Sequence, residues 1–331
     1  MTGAQDEILD VDLLAFERGT EAQRRAVVDG VRRSLATGFV CTSHDLGEGF
    51  LDDVYGALAS FFALPVEAKR RVEAPGSMGQ TGYTGLLVET AAGAELADWK
   101  EMLNWGRPVP AGHPLRTRYP HRYLDPVLPE DLVPGSAALL VALHERLEAL
   151  QRRFLRIVAV TMGCHETFFD SMTTDAPTLT RAIRYPPMTD APAIGPSAAG
   201  HVWAGEHGDI NLITALPRAT RPGLQVRLAD GTWIDAVAPD GLAIVNAGMM
   251  LERLSNGRIP TGWHRVVAAP DEVAERLSVV QFAHPTPWTV LAPVPSCVSP
   301  EHPLRFSAIE AGADLDRVLW EINLHEGARR G

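Results

Sequence analysis

The sequence predicts a mainly β protein with flanking helices (class α+β), whose core is a double-stranded β-helix, or jelly roll. Eight short β-patterned runs follow one another between turn signals such as Pro222-Gly223 and Asp230-Gly231, as in closed or sandwiched β architectures. No long helical pattern alternates with these runs, which disfavours a doubly wound parallel sheet. The eight runs cover residues 178–185, 201–206, 210–216, 223–228, 232–237, 242–246, 264–267 and 277–284.

Most of the predicted helices precede this β region. Residues 8–16 alternate loosely and suggest a first strand. Thr20 and Gln23 then have the spacing of a capping box, so a helix is expected from there to Gly38, followed by a short buried strand at 39–42. Further helices are predicted at 46–62, 66–72, 136–162 and 311–324. Residues 136–162 have a single apolar face, so this helix is expected to pack on the outside of the barrel.

We therefore expect one domain of 331 residues, which is long enough to bury a large core. Within it, residues 1–177 form a helix-rich part that packs on the barrel, and residues 178–290 form the jelly-roll core that carries the site. Residues 291–331 form a C-terminal extension with a helix.

Composition excludes several classes of function. A net charge of −11 and the lack of any basic run argue against nucleic-acid binding. The acidic amino terminus has no signal-peptide pattern and no apolar run reaches the length of a membrane span, so a cytoplasmic location is expected. Three scattered cysteines, Cys41, Cys164 and Cys297, predict neither a disulfide framework nor a zinc site. A small molecule is the expected partner, and the oligomeric state stays open.

The most informative motif is His207-Gly208-Asp209, followed much later by His264. If residues 206–216 form a strand, His207 and Asp209 project from one face, because side chains two residues apart do so. His264 from another strand would complete a two-His-one-carboxylate set that leaves coordination positions open on Fe(II). The triplet alone is common by chance, and a surface histidine beside a solvated aspartate is the alternative interpretation.

Arg276 and Ser278 repeat the spacing of two residues on the last predicted strand. An arginine binds a carboxylate through two parallel hydrogen bonds, and a nearby hydroxyl fixes the rotation of that carboxylate. The order His-x-Asp, distal His, then Arg-x-Ser, each beside strand-like sequence, favours a site for iron and a dicarboxylate over coincidence.

These residues resemble the isopenicillin N synthase-like branch of the Fe(II)/2-oxoglutarate-dependent dioxygenases. The similarity extends over nearly the whole chain and is carried by the segments 207–214, 223–226, 254–257, 264–266 and 276–278, by Arg184-Tyr185-Pro186-Pro187, and by Gly38-Phe39-Val40. The resemblance implies Fe(II) as the metal, 2-oxoglutarate as co-substrate bound by Arg276, Ser278 and Tyr185, and O2 as oxidant. One departure from the family is Gly248-Met249-Met250, where many relatives have Gly-Asp-Met. The iron ligands are unaffected, but any contact that the aspartate of those relatives makes behind the ligands is not expected from Met249.

Several further residues are candidates for the substrate pocket. Arg181 shares a strand face with Tyr185 and is a candidate for holding an anionic group of the substrate. Trp203, Met249 and Phe282 are candidates for apolar walls and are equally consistent with ordinary core residues. His284 at the end of the last strand could line the pocket, although a lone histidine is more often structural. The resemblance implies that the region around Tyr83 and Asp98-Trp99-Lys100-Glu101 lies over the mouth of the barrel. For each residue taken singly, packing or a solvated charge is the preferred explanation.

Three functions remain open at this stage. The first is a 2-oxoglutarate-dependent dioxygenase that hydroxylates, desaturates or cyclises a small molecule, in specialised, antibiotic-like metabolism. The second is an oxidase of the isopenicillin N synthase type, in which Arg276 and Ser278 hold the carboxylate of the substrate. The third is a non-catalytic jelly-roll binding module. Serine hydrolases and dinucleotide-binding enzymes are excluded because their glycine-rich motifs are absent.

Overall fold

Two large β-sheets and nine α-helices make up the computed structural model, which describes residues 7–90, 96–192, 202–269 and 271–321. The helices in this part are α1 Leu13–Arg18, α2 Glu21–Ser34, α3 Glu48–Phe62, α4 Val66–Lys69, α5 Pro114–Arg118, α6 Ser136–Thr161, α7 Asp170–Thr173, α8 Met249–Leu254 and α9 Ala311–Glu321. The strands are β1 Asp10–Val11, β2 Phe39–Ser43, β3 Gly82–Thr84, β4 Glu101–Gly106, β5 Leu179–Tyr185, β6 Ala204–His207, β7 Ile213–Leu216, β8 Leu224–Arg227, β9 Trp233–Asp235, β10 Leu242–Ala247, β11 His264–Val266, β12 Arg276–Ala283, β13 Val290–Leu291 and β14 Ile309–Glu310.

The sheet topology confirms the predicted fold class. The major sheet has the order β1-β2-β10-β7-β12-β5-β4-β3, and the minor sheet has the order β6-β11-β8-β9. All pairs in both sheets are antiparallel except β1 with β2. Side chains from both sheets line one cavity, so the functional residues lie between the sheets. β13 and β14 form a separate pair.

Each of the eight predicted runs contains a strand, but the N-terminal region differs from the prediction. The expected strand at 8–16 is wrong beyond Val11, because Asp12 caps α1: its Oδ1 accepts hydrogen bonds from the amides of Leu14 and Ala15 at 2.9 and 3.3 Å. β1 to β4 also extend the major sheet, so residues before 178 contribute half of its strands. Residue 201 and residues 322–324 of the predicted elements lie outside the described residues.

The predicted capping box at Thr20 and Gln23 forms, and the segment after α2 ends at Gly38. Gly38 has a φ of 82°, and a Cβ at this position would lie 2.6 Å from the Cα of Gly262. Only glycine allows this left-handed backbone and close approach together. The contact places the amino-terminal strand β2 against the segment that leads into His264.

α6 packs along the major sheet, on β12 and β7, as its single apolar face predicts. A buried polar network accompanies this apolar contact. Nδ1 of His144 lies 2.7 Å from Oγ1 of Thr180, and Gln281 donates from Nε2 to the backbone oxygen of His144 at 2.9 Å. Gln151 donates in turn to Oε1 of Gln281 at 2.7 Å. These bonds fix the position of α6 behind the strand that carries Arg276.

His144 is expected to make stability depend on pH. Burial, followed by repulsion from Arg107, lowers its pKa from 6.5 to about 4. The unfolded chain therefore takes up the proton first as the pH falls, so stability is complete above pH 6.5 and is lost towards pH 4. The shift corresponds to on the order of 3 kcal/mol. His144→Gln should reduce the fall in unfolding free energy over this range by about that amount, as measured by urea titration at several pH values. His165→Gln, at an exposed histidine, is the control. If the unfolding free energy falls equally with pH in the unmodified protein and in both variants, His144 is not the source of the pH dependence.

Among the described residues, no single helix has both the length and the apolar composition to cross a membrane, although Glu48–Phe62 and Val66–Val72 would meet both criteria together and are bent by 114° at their junction.

Candidate metal centre and adjoining cavities

Three side chains converge between the two sheets. His207 ends β6, His264 begins β11, and the two residues are direct cross-strand partners. Asp209 lies in the connection from β6 to β7, and one ligand atom from each of the three residues lies within 4.8 Å of the others. The expectation that Asp209 continues the strand of His207 is therefore wrong. Gly208 lets this connection pack closely against Thr261, because a Cβ on it would lie 2.6 Å from Cγ2 of Thr261.

Hydrogen bonds fix which atoms of the three side chains face each other. Nδ1 of His207 bonds to the backbone oxygen of Gly205 at 2.8 Å, and Nδ1 of His264 bonds to that of Gly262 at 2.9 Å. A carbonyl oxygen only accepts, so each Nδ1 carries the proton and each Nε2 keeps a free lone pair. Such partners behind a metal-binding histidine set its tautomer and ring orientation.

The carboxylate of Asp209 is oriented in the same way. Its Oδ2 accepts hydrogen bonds from Oγ1 of Thr214 at 2.6 Å and from Nδ2 of Asn246 at 2.8 Å. Oδ1 is thereby left for a metal ion. Thr214 and Asn246 therefore supply the contacts behind this carboxylate in the present chain.

The protonation states suit a divalent cation. Burial alone would raise the pKa of Asp209, but His264, His207 and the two hydrogen bonds hold the pKa of this carboxyl below its usual range. Burial, followed by His264, lowers the pKa of His207 to about 4. A carboxylate and a neutral imidazole are therefore present at neutral pH, which is the state that binds metal. Nitrogen and carboxylate ligands in a two-His-one-carboxylate set fit Fe(II).

Arg276 is a buried cation on the far side of the same space. It is 2% exposed, and Nη1 and Nε donate to Oγ of Ser278 and to the backbone oxygen of Arg221, both at 3.0 Å. Tyr185 is its cross-strand partner, with the ring centroid 5.2 Å from Cζ of Arg276. No carboxylate forms an ion pair with Arg276 in the described part of the chain. A buried guanidinium without a counter-charge is costly unless an anionic ligand supplies one.

Two adjoining cavities meet at the candidate metal centre. The inner cavity, of about 60 Å³, is lined by the three converging side chains and by Tyr185, Arg276 and Ser278. The outer cavity, of about 400 Å³, is lined by the candidate pocket residues Arg181, Met249, Phe282 and His284. The residues that line both cavities are Lys100, Arg181, His207, Asp209 and Phe282.

The structure does not bring Trp203 and Tyr83 to either cavity wall. Trp203 is buried against Tyr185, and its Nε1 donates to the backbone oxygen of Pro186 at 2.9 Å. The hydroxyl of Tyr83 donates to Oε2 of Glu101 at 2.5 Å, within a buried cluster that includes Lys69. Both aromatic residues therefore hold the walls in place from behind.

The residues around the cavities that the sequence did not single out include Asn246, Glu89, Leu315 and Val318. Asn246 is a polar residue inside the otherwise apolar strand β10, and that interruption was an available signal. Glu89 lies in a loop, and Leu315 and Val318 of α9 line the outer cavity from a distant part of the chain. Nothing local in the sequence marks these three positions.

Replacing Thr214 with valine is expected to weaken Fe(II) binding about 10- to 100-fold, the usual effect of removing a partner behind a ligand. The reason is the loss of one of the two donors that hold Asp209. The dissociation constant for Fe(II) would be measured anaerobically. Thr42→Val is the matched control, because Thr42 is equally buried but lines neither cavity. Unchanged affinity in Thr214→Val, or an equal loss in the control, would refute this role.

Comparisons with known proteins agree with this geometry. A family model described as the 2OG-Fe(II) oxygenase superfamily matches residues 177–285. A second model, described as the N-terminal region of non-haem dioxygenases in morphine synthesis, matches residues 8–127.

Among curated proteins, isopenicillin N synthase of Amycolatopsis lactamdurans is 32% identical over 184 residues, and the match covers about half of each chain (55%). Leucoanthocyanidin dioxygenase 1 of Oryza sativa subsp. japonica is 30% identical over 307 residues, covering 87% of this chain and 74% of the relative. A solved 2OG-Fe(II) oxygenase family protein from Caulobacter crescentus has a TM-score of 0.82 at 31% identity, covering 96% of this chain and 100% of that one. A full-length Neurospora crassa protein, solved in complex with alpha-KG, has a TM-score of 0.81 at 27% identity, covering 96% of this chain and 98% of that one.

Proposed function

Because the chain belongs to the 2OG-Fe(II) oxygenase superfamily, we propose that it is an Fe(II)/2-oxoglutarate-dependent dioxygenase that oxidises a C–H bond of a small molecule. The observation that carries the proposal is the pairing of two features across one small cavity. His207, Asp209 and His264 converge on one side, and the guanidinium of Arg276, which has no ion-pair partner among the described residues, lies on the other.

His207, Asp209 and His264 would hold the iron through Nε2, Oδ1 and Nε2. Bound Fe(II), with 2-oxoglutarate and O2, supplies the oxidative decarboxylation of 2-oxoglutarate to succinate and CO2, coupled to oxidation of the substrate. The hydrogen bonds made by each of the three side chains hold the donor atoms in place before the metal binds, which lowers the entropic cost of metal binding.

Arg276 and Ser278 are the proposed binding residues for the distal carboxylate of 2-oxoglutarate. The guanidinium keeps donors that neither Arg221 nor Ser278 uses, and burial strengthens their attraction to an anion. Tyr185 packs against the guanidinium and limits its rotation. The small inner cavity, of about 60 Å³, fits a short dicarboxylate better than a bulky substrate.

The outer cavity is the proposed substrate site. Phe282 and Met249 bring apolar surface to the edge of the metal centre, which keeps water away from the reacting carbon and positions it. The proposed site is compatible with hydroxylation, desaturation or cyclisation of the substrate. The similarity to isopenicillin N synthase supports a place in specialised, antibiotic-like metabolism.

The decisive experiment is anaerobic reconstitution with Fe(II) and 2-oxoglutarate, followed by exposure to O2. We expect a visible charge-transfer band on adding both, and then succinate release coupled to oxygen uptake. An oxidase is the second candidate, favoured by the similarity to isopenicillin N synthase. It would give oxygen uptake without succinate and no band that depends on 2-oxoglutarate.

A further inference from the structure

The outer cavity has a largely apolar wall that comes from distant parts of the chain. β5, β12 and the segments around β11 and α8 supply the part nearest the metal centre, and α9 supplies the outer part. The apolar residues involved include Leu179, Met249, Trp263, Phe282, Leu315 and Val318. A cavity of about 400 Å³ with such walls gains affinity mainly from burying apolar surface of a ligand.

Four charged side chains interrupt the wall next to the metal centre, and they neutralise one another. Nζ of Lys100 lies 2.8 Å from Oδ2 of Asp98 and 3.3 Å from Oε2 of Glu89. Nη1 of Arg181 lies 3.4 Å from the same Glu89 oxygen, while its Nε donates to Oδ1 of Asn104 at 2.7 Å. Two cations and two carboxylates therefore form one group with no net charge.

Glu89 is the central member of this group. Burial alone would raise the pKa of its carboxyl, but Arg181 and Lys100 hold that pKa below its usual value. The side chain is 12% exposed and bridges both cations, so it remains a carboxylate in a largely buried position.

The other ionisable groups on the wall are paired or neutral. Glu206 pairs with Arg227, and Arg317 pairs at 3.0 Å with Asp314, a carboxylate that Arg253 also contacts at 3.5 Å. Burial, followed by repulsion from Arg122, lowers the pKa of His284 to about 4, so its imidazole is neutral at neutral pH. Apart from Asp209 at the metal centre, every charge that lines the outer cavity has a partner among the residues that the structure describes.

We propose that the outer cavity selects uncharged, mainly apolar substrates, and that Glu89 is the residue that excludes carboxylates by occupying both Lys100 and Arg181. The proposal rests on the function proposed above and names its substrate class. A carboxylate entering this cavity loses its hydration, finds no free cation, and meets the like charge of Glu89. Arg181, which the sequence offered as an anion site, is already paired.

The test measures ligand binding without turnover, in protein loaded with Zn(II) in place of iron and saturated with 2-oxoglutarate, so that the metal and Arg276 are already occupied and the probes report on the outer cavity. The probes are two matched pairs, phenylacetamide with phenylacetate and 2-naphthylacetamide with 2-naphthylacetate, titrated by calorimetry. In the unmodified protein each amide is expected to bind at least ten-fold more tightly than its carboxylate. Equal or tighter binding of the carboxylates overturns the proposal, as does failure of both amides to bind at millimolar concentration.

Glu89→Gln makes the test specific to this residue. It leaves Lys100 and Arg181 with only Asp98, so the group gains a net positive charge and the preference for the amides should fall at least ten-fold. Glu89→Asp keeps the charge and should keep the preference. Glu73→Gln removes an exposed carboxylate that does not line the outer cavity and should also change nothing. An unchanged preference in Glu89→Gln, in protein that still binds Zn(II), refutes the role of Glu89.

These readouts separate the substrate class from the chemistry. Amide selectivity without any succinate release would remove the proposed dioxygenase activity and leave the binding preference intact. Succinate release together with tight binding of the carboxylates would support the proposed dioxygenase activity and refute the proposed binding preference.

Discussion

Replacing His264 with alanine is expected to raise the dissociation constant for Fe(II) by more than about 100-fold. This exceeds the effect of removing a residue that only hydrogen-bonds to a metal ligand. Two donors, Nε2 of His207 and Oδ1 of Asp209, cannot hold the ion as three do, and they belong to one short segment. Succinate release should fall to background at the Fe(II) concentrations that saturate the unmodified protein. Anaerobic Fe(II) titration and the coupled succinate assay measure the two effects.

His284→Ala is the matched control for this experiment. His284 is another largely buried, neutral imidazole near the centre, and it lines the outer cavity without belonging to the converging three. Its removal should leave Fe(II) affinity within a few-fold of the unmodified protein. Normal iron binding by His264→Ala, or an equal loss in His284→Ala, would show that the metal centre is misplaced.

Replacing Arg276 with glutamine is expected to weaken 2-oxoglutarate binding severely while leaving Fe(II) binding in place. Truncating one partner of a buried, hydrogen-bonded charge pair costs about 2–5 kcal/mol. That range corresponds to a rise of about 30-fold to several thousand-fold in the dissociation constant for 2-oxoglutarate. The charge-transfer band, titrated with 2-oxoglutarate under anaerobic conditions, measures it directly.

The affinity of Arg276→Lys for 2-oxoglutarate should lie between those of the unmodified protein and Arg276→Gln. Lysine keeps the charge but loses the planar, two-point geometry of the guanidinium. Arg218→Gln is the control, since Arg218 is a nearby arginine that already pairs with Asp52 at 2.8 Å and does not line the inner cavity. Unchanged 2-oxoglutarate affinity in Arg276→Gln would favour the oxidase, in which this arginine serves the carboxylate of the substrate.

Much of the fold followed from local pattern. The strands from β5 to β12 were predictable because alternating apolar residues between turn signals define short antiparallel strands. α6 was predictable because one apolar stripe extends through 26 residues. β4 was missed, since Glu101–Gly106 is buried along nearly its whole length and shows no alternation. α8 was missed because a single short helix inside a β region has too few turns to show a period.

The candidate iron ligands and Arg276 could also be found from the sequence, although part of the reasoning failed. The spacing in His207-Gly208-Asp209 indicated a shared direction for the two side chains, and the structure achieves it with a strand end and the irregular connection that follows. Trp203 was a candidate for an apolar wall, and the resemblance implied that the region around Tyr83 lies over the mouth of the barrel, yet neither side chain lines a cavity at the metal centre. Proximity in sequence does not say which face of a strand a side chain occupies.

The sequence by itself determined the kind of chemistry at the metal centre, because the donor atoms, their order and the strands beside them are local properties. Only the tertiary structure decided the charge of the outer cavity. Glu89, Asp98, Lys100 and Arg181 come from a loop, the segment leading into β4, and β5, and α9 completes the wall. Whether a buried arginine is free to bind an anion depends on which carboxylate the fold brings within ion-pair distance, and that distance is set by packing between segments far apart in the chain.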